Sequence, residues 1–375
     1  MKKALLALAA AFILLACCAA SAYALELTAK SAILVDAANG KVLYSQNPDE
    51  QLPVASTTKV LTALIVLENV SDLKQTVTLP DDFVNVGESG IYLQAGETHT
   101  YEDLLYAMLL RSANDAAQAL AISVAGSEEA FVDLMNQRSR ELGLQNSHWA
   151  NPHGLEAEGH YSCARDLAVI AREALKNEVF NTIVSTYSWT IPWENNEYDR
   201  VVYNHNQFLS SYEGADGVKT GYTSQAGNCL ISSATRNGMR LIGVVLNCAD
   251  HYSESAELLD YGFENFSRFK VADKGEVVGS VKVSKGRQGA VDAVVGEDIY
   301  VVMPNGSTYS PEYKLELPAS IAAPFSTDQA IGKIAYDDGE GNFAEADLFP
   351  AVALDKYTFG SVWLSFWRHL WGVFL

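Results

Sequence analysis

Pro53-Val54-Ala55-Ser56-Thr57-Thr58-Lys59 stands directly ahead of the apolar run Val60, Leu61, Leu64, Ile65 and Leu67. That spacing reads as a buried helix, so Ser56 falls on a helix's first turn. Residues three apart are neighbours on a helix surface, which sets Lys59 beside Ser56 and one turn further into the protein. An amine there can take the hydroxyl proton when it is uncharged, and burial or a second nearby cation, for which Lys219 is the candidate, lowers a lysine's pKa toward that state. The NH of Ser56 at the helix start is a candidate donor to an oxyanion. The plainer reading of Ser56 is an ordinary N-cap serine. The spacing Ser-x-x-Lys also occurs at Ser71 to Lys74, where the helical pattern has ended, and at Ser267 to Lys270. Only the surroundings of Ser56 suit a nucleophile.

Two further motifs follow in order. Ser112-Ala113-Asn114 lies between two helical patterns: Thr100 and Asp103 form a capping box ahead of Leu104, Leu105, Met108 and Leu109, and a second apolar run covers Ala116 to Val124. A helix-to-helix corner of this kind can push a hydroxyl and a carboxamide into a cleft, one to relay a proton and one to hold a substrate amide. The plainer alternative is that both residues cap the second helix. Lys219-Thr220-Gly221 occurs once, on the strand-like run Val218 to Tyr222. It is followed by Ala226 to Thr235, the pair Asn237-Gly238, and Met239 to Asn247, a strong hairpin signal. Lys219 and Thr220 on that strand could bind a substrate carboxylate. Gly221 would let a ligand approach the backbone, and the NH of Tyr222 could be the second oxyanion donor. Ser267 comes after Lys219, in the wrong order for this set.

In this order and spacing the three motifs resemble those of the penicillin-binding protein and serine β-lactamase superfamily, and within it the low-molecular-weight D-alanyl-D-alanine carboxypeptidases. The resemblance extends to Asn151-Pro152-His153-Gly154-Leu155, to the run Ser162 to Ala168, and to Lys219-Thr220-Gly221-Tyr222-Thr223. It implies Ser56 as nucleophile, Lys59 as general base, Ser112 as proton relay and Lys219 as the contact to the substrate carboxylate. It also implies an α+β catalytic domain of the β-lactamase/transpeptidase type, peptidoglycan stem peptides as substrate and β-lactams as inhibitors. No cofactor is implied.

The rest of the chain places such an enzyme outside the cytoplasm. Lys2 and Lys3 precede the apolar stretch Ala4 to Cys18, and Ala22-Tyr23-Ala24 is a small-residue cleavage site, so residues 1–24 read as a secretory signal peptide. A rival is a lipoprotein signal at Leu14-Leu15-Ala16-Cys17, to which Leu15 is a poor fit. A net charge of -20 argues against nucleic acid and against a polybasic membrane surface. Beyond the leader the cysteines are Cys163, Cys229 and Cys248, which is no disulfide framework, and they read as buried thiols. His148, His153 and His160 lack the spacing of a zinc site. Arg236 and Arg240 flank the hairpin turn and read as solvated, with carboxylate binding the alternative, and Ser162, Arg165 and Asp166 read as a cap with a surface ion pair, with a role shaping the cleft the alternative.

An N-terminal hairpin, Ser31 to Val35 and Lys41 to Tyr44 around Asn39-Gly40, and the strands after Asp216 bracket a helical middle. That order predicts one antiparallel sheet with helices packed on it over residues 25–268. Short strand-like runs follow at Val277 to Val283, Val291 to Val295, Ile299 to Met303, Tyr313 to Leu317 and Ile331 to Tyr336, which predict a small all-β domain over residues 269–355. The resemblance implies a spacer or partner-contact role for it. Phe359, Val362, Trp363, Phe366, Trp367, Leu370, Val373 and Phe374 recur at helical spacing, so residues 356–375 read as an amphipathic helix suited to a membrane interface.

Two rival functions stay open on the residues alone. A β-lactamase of class A would need a glutamate base, and Glu173 to Asn177 loosely copies that spacing, although Leu167 to Leu175 reads as a helix. A catalytically weak peptidoglycan-binding protein would show a broken motif, and none is broken here.

Overall fold

The six residues of Ser31–Asp36 (β1) are all buried, and their side chains alternate between two apolar layers. Ile33 and Val35 join one core and Ala32 and Leu34 another, the period-two alternation of a strand covered on both faces. Fully burying such a side chain contributes about 1.5–3 kcal/mol, so this short segment anchors the fold. The computed structural model describes residues 25–193, 196–286, 288–339 and 342–356. The leader expected over residues 1–24, and all but the first residue of the terminal helix expected over 356–375, lie outside them. No helix among the described residues is long and apolar enough to cross a membrane.

β1 pairs with Val42–Gln46 (β2) on one side and with Met239–Leu246 (β5) on the other. Beyond β5 come Gly227–Arg236 (β4) and Ala215–Thr223 (β3), giving a five-stranded antiparallel sheet in the order β2-β1-β5-β4-β3. The β4–β5 ladder closes on Arg236 opposite Met239, so Asn237-Gly238 is the hairpin turn, with φ of +51° and +76°. His251–Asn265 (α7) packs on one face of the sheet, where Leu258 and Leu259 meet Leu34, Leu241 and Val245.

The other face carries the helical lobe. Lys59–Asn69 (α1), Tyr101–Leu110 (α2), Asn114–Ala125 (α3), Glu128–Glu141 (α4), Ala164–Ala174 (α5) and Glu178–Ser185 (α6) share one core with Ile33, Ile231, Ile242 and Val244. α1 is apolar almost all round, and its residues from Lys59 to Val66 are buried. The cap predicted for α2 is present, with Thr100 Oγ1 accepting from the Asp103 NH at 3.0 Å. α5 is capped by Cys163, not by Ser162. Ser162 is buried and its hydroxyl bonds that of Ser147, while Asp166 accepts from the Asn146 NH and the Ser147 hydroxyl. Arg165 pairs with Asp49 at 2.7 Å on the surface.

Phe266–Ala272 (β6) follows α7 without a linker and runs across the division expected at residue 268. It pairs with Ile299–Pro304 (β9). Val277–Ser284 (β7), Ala290–Val295 (β8), Tyr313–Glu316 (β10), Ser320–Ala322 (β11), Gly332–Asp337 (β12) and Phe343–Pro350 (β13) form a second sheet in the order β10-β12-β13-β8-β7-β11. The sequence pattern missed β6, β11 and β13. In β13 the buried face is carried by Ala346, Leu348 and Pro350, with Glu345 and Asp347 on the opposite, exposed face, and small or acidic residues hide the alternation that a strand reading relies on.

Candidate active site

The chain enters α1 through a tight turn, Ala55–Thr58, in 3-10 geometry. The two threonines between Ser56 and Lys59 explain that turn. Thr57 Oγ1 donates to the Val54 carbonyl at 2.7 Å and Thr58 Oγ1 to the Ala55 carbonyl at 2.8 Å, both fully buried. Neither the turn nor α1 has a side-chain cap. Ser56 is therefore not an N-cap, and its hydroxyl lies 2.9 Å from Lys59 Nζ.

Lys59 is fully buried at the bottom of this turn. Its Nζ lies 2.7 Å from Asn114 Oδ1 and 2.5 Å from the His153 carbonyl. Both of these groups only accept, so they take two N–H bonds; a neutral amine then turns its lone pair to the Ser56 hydroxyl. Burial first, and the charge of Lys219 second, hold the Lys59 pKa well below the ordinary lysine range, with Asp115 and Glu88 acting the other way. An amine held toward its neutral form in this way can take the proton of a hydroxyl.

The third motif reaches the site on β3. Gly221 explains how: a Cβ at that position would lie 3.0 Å from the Ser56 nitrogen, 3.1 Å from the Thr57 nitrogen and 3.1 Å from the Val54 carbonyl oxygen. The glycine lets the strand press against the turn that carries Ser56, rather than opening room for a ligand as the sequence suggested. Lys219 is buried, its Nζ donating to the Thr220 carbonyl at 2.9 Å, and burial brings its pKa down to about 7. Thr220 is half-buried and Tyr222 is exposed on the same strand.

Ser112 and Asn114 stand on the α2–α3 corner, as their spacing predicts. Ser112 has φ +62° and is buried, and among the described residues its hydroxyl bonds to none of Ser56, Lys59 or Lys219. Asn114 is held at both ends, since its Nδ2 donates to the Gly87 carbonyl at 3.1 Å while Oδ1 accepts from Lys59. One Nδ2 hydrogen remains for a substrate group.

Several groups at the site escaped the sequence reading. The backbone NH of Asn114 donates to the Ser89 carbonyl at 2.7 Å. The buried Asp115 carboxylate accepts from Asn85 Nδ2, the Ile91 NH and the Leu93 NH at 2.8–3.2 Å. These bonds tie residues 85–93, with Glu88 among them, to the start of α3. The Asn151–Leu155 loop lies on the other side, where Gly154, at φ +89°, is so close to the turn that a Cβ would fall 2.0 Å from the Ala55 carbonyl oxygen. A buried acid directly after Asn114 was the available signal for the first loop. The second contributes a carbonyl, which every residue has.

The remaining candidates take structural places. Arg236 pairs with Asp260 at 3.0 Å and lies over Tyr212, and Arg240 pairs with Asp216 at 3.1 Å, so neither is simply solvated. Glu173 lies on α5 beside Lys176 and Arg138, at 2.6 and 3.9 Å, not at Ser56. Cys163, Cys229 and Cys248 are free and buried, and burial pushes their thiols up to about 12, 11 and 12. Of the three histidines, His148 Nδ1 bonds the Gly159 carbonyl, His153 Nε2 lies 3.4 Å from Glu128, and His160 bonds Thr58. No cluster of potential metal ligands occurs among the described residues.

Residues 18–250 match the model of a family described as D-alanyl-D-alanine carboxypeptidase, and residues 266–356 match that of the penicillin-binding protein 5 C-terminal domain. The D-alanyl-D-alanine carboxypeptidase DacF of Bacillus subtilis is 36% identical over 321 residues, covering 83% of this chain and 82% of that protein. Among solved structures, penicillin binding protein 5 from Haemophilus influenzae superposes with a TM-score of 0.68 at 30% identity, over 88% of this chain and 98% of that one. A peptidoglycan synthesis regulatory factor from Streptococcus pneumoniae gives 0.76 at 29% identity, over 89% and 100%.

Proposed function

The chain belongs to the D-alanyl-D-alanine carboxypeptidase family, and from that membership we propose that it removes the terminal D-alanine of peptidoglycan stem peptides through an acyl-enzyme on Ser56. The observation that carries this reading is the 2.9 Å approach of Ser56 Oγ to a buried lysine amine whose other two neighbours can only accept.

In the proposed reaction Lys59 takes the proton of Ser56, and the oxygen attacks the carbonyl of the penultimate D-alanine. The NH groups of Ser56 and Tyr222 hold the oxyanion, which the close packing of β3 on the Ser56 turn favours. Lys219 and Thr220 hold the substrate carboxylate, and Asn114 offers its remaining Nδ2 hydrogen to a substrate amide. Collapse of the tetrahedral intermediate breaks the peptide bond, and Ser112 relays the proton held by Lys59 to the leaving amine of D-alanine, which returns Lys59 to the neutral form. Water then hydrolyses the ester, with Lys59 again as base. A β-lactam enters the same path, and the ring-opened acyl group stays on Ser56.

We further propose that residues 1–24 export the chain, that residues 25–268 form the peptidase and 269–355 a spacer or partner-contact domain, and that 356–375 hold the enzyme at the outer face of the membrane. The leader pattern and the tryptophan-rich terminal stripe support this placement.

The test is release of D-alanine from a diacetyl-Lys-D-Ala-D-Ala peptide by the protein lacking residues 1–24. Release that stops on Ser56→Ala and is blocked by penicillin is the expected result. Release that survives Ser56→Ala would remove Ser56 from the mechanism, and hydrolysis of penicillin in place of the peptide would favour the β-lactamase reading.

A further inference from the structure

His160 lies 102 positions beyond Thr58 in the chain, yet its Nε2 is 2.9 Å from Thr58 Oγ1, and both side chains are buried. Its other ring nitrogen, Nδ1, is 3.1 Å from the Ala150 backbone nitrogen. Donor counting fixes the protons. The Ala150 NH can only donate, so Nδ1 is bare. A neutral imidazole must then carry its hydrogen on Nε2 and donate it to Thr58 Oγ1. The Thr58 hydroxyl spends its own hydrogen on the Ala55 carbonyl at 2.8 Å. Three bonds of one direction therefore run from the Ala150 NH to the carbonyl of the residue before Ser56.

That residue is not in a relaxed conformation. Ala55 has φ +49°, the left-handed region that residues with a Cβ enter at a cost and keep only when their surroundings hold them. Gly154 is pressed against the same carbonyl. Ala55 sets the direction in which the Ser56 NH and Oγ leave the turn, so the bond to its carbonyl bears on both the nucleophile and an oxyanion donor. The charged or titratable groups facing His160 are His153, His148 and Lys59, and with burial as the first cause they bring its pKa down to about 4. The imidazole is neutral across the range in which a lysine base works, as the relay requires.

We propose that His160 is a positioning residue for the nucleophile, acting through Thr58 to hold the Ala55 carbonyl and thereby the backbone that presents Ser56. The proposal rests on Ser56 being the residue acylated. It distinguishes His160 from a residue that merely fills the core beside Trp149, whose ring it meets edge-on at 5.5 Å.

The experiment measures the second-order rate of acylation by benzylpenicillin for the wild type, His160→Leu, His160→Gln, Thr58→Val and the double variant H160L/T58V, with a melting temperature for each. Glutamine can accept from the Ala150 NH with its carbonyl and donate to Thr58 with its amide. His160→Leu is expected to slow acylation about 10-fold or more, and His160→Gln to stay within about 3-fold of wild type. In the double variant the leucine adds nothing to the effect of Thr58→Val, because the two residues act in series. Should the leucine variant fail to fold, Gln and Thr58→Val alone decide: a glutamine variant as slow as Thr58→Val overturns the proposal. So does a leucine variant as fast as wild type, or a double variant in which the two losses multiply. Acylation of Ser56 that ignores position 160 refutes this inference alone, whereas a wild type not acylated at Ser56 refutes the reading beneath it.

Discussion

Replacing Lys59 by methionine lowers kcat/KM for D-alanine release by about 10²–10⁴-fold, the range that a general base contributes, and leaves the fold intact. The size follows from the site's geometry. Lys59 Nζ is the nitrogen base placed 2.9 Å from Ser56 Oγ, and the carboxylates that influence it, Asp115 and Glu88, act on its charge and not as bonded partners of Ser56. The pH profile separates a base from a mere structural cation. A base must lose its proton first, so the wild-type rate falls on the acid side as Lys59 is protonated. The residual rate of Lys59→Met lacks that limb. A methionine variant with an unchanged rate, or one that keeps the acid limb, removes Lys59 from the chemistry.

Lys219→Met should separate stability from activity. Burial brings the Lys219 pKa from 10.5 down to about 7 in the folded chain, so folding opposes its charge. Below pH 7 both folded and unfolded chains carry the proton, and the folded state bears the full penalty. Between about 7 and 10.5 the unfolded chain holds a proton that the folded chain has released, so stability climbs with pH through that window. The gap of 10.5 − 7, about 3.5 pH units at ~1.4 kcal/mol each, is on the order of 5 kcal/mol. Methionine has no charge to bury and loses the single bond to the Thr220 carbonyl, worth about 1 kcal/mol. Lys219→Met is therefore expected to melt several degrees higher at pH 6, with the advantage fading as pH approaches 10. Its kcat/KM should fall about 100-fold or more for want of the carboxylate contact. Thermal melts from pH 6 to 10 check the first statement, and a variant less stable than wild type at pH 6 contradicts it.

Such a cost is borne by a site in which two lysines are buried without a carboxylate bonded to either Nζ among the described residues. That pairing could be read in the sequence from the spacing of Ser56 and Lys59 and from the strand character of Val218 to Tyr222. The central sheet was legible for a related reason: β1, β4 and β5 are largely apolar runs, buried almost throughout, and Asn237-Gly238 sets the β4–β5 register. The supporting contacts were not legible. Lys59 reaches Asn114 across 55 positions and the His153 carbonyl across 94, and a carbonyl leaves no mark on residue type. Asp115 was overlooked because two of its partners, Ile91 and Leu93, offer backbone NH groups and the third, the Asn85 side chain, lies 30 positions away. Gly221 was read for ligand access, yet its nearest neighbours are the Ser56 and Thr57 nitrogens. Arg236 and Arg240 looked solvated because Asp260 and Asp216 come close only after folding.

Acylation of the chain on its own Ser56 can be observed by incubating the protein lacking residues 1–24 with benzylpenicillin, quenching in acid, digesting, and locating the adduct by mass spectrometry. One penicilloyl group is expected, on the peptide that contains Ser56, and none on the Ser56→Ala protein. An adduct on Ser112 or on another peptide, or no adduct while the same protein releases D-alanine from the stem peptide, would contradict it.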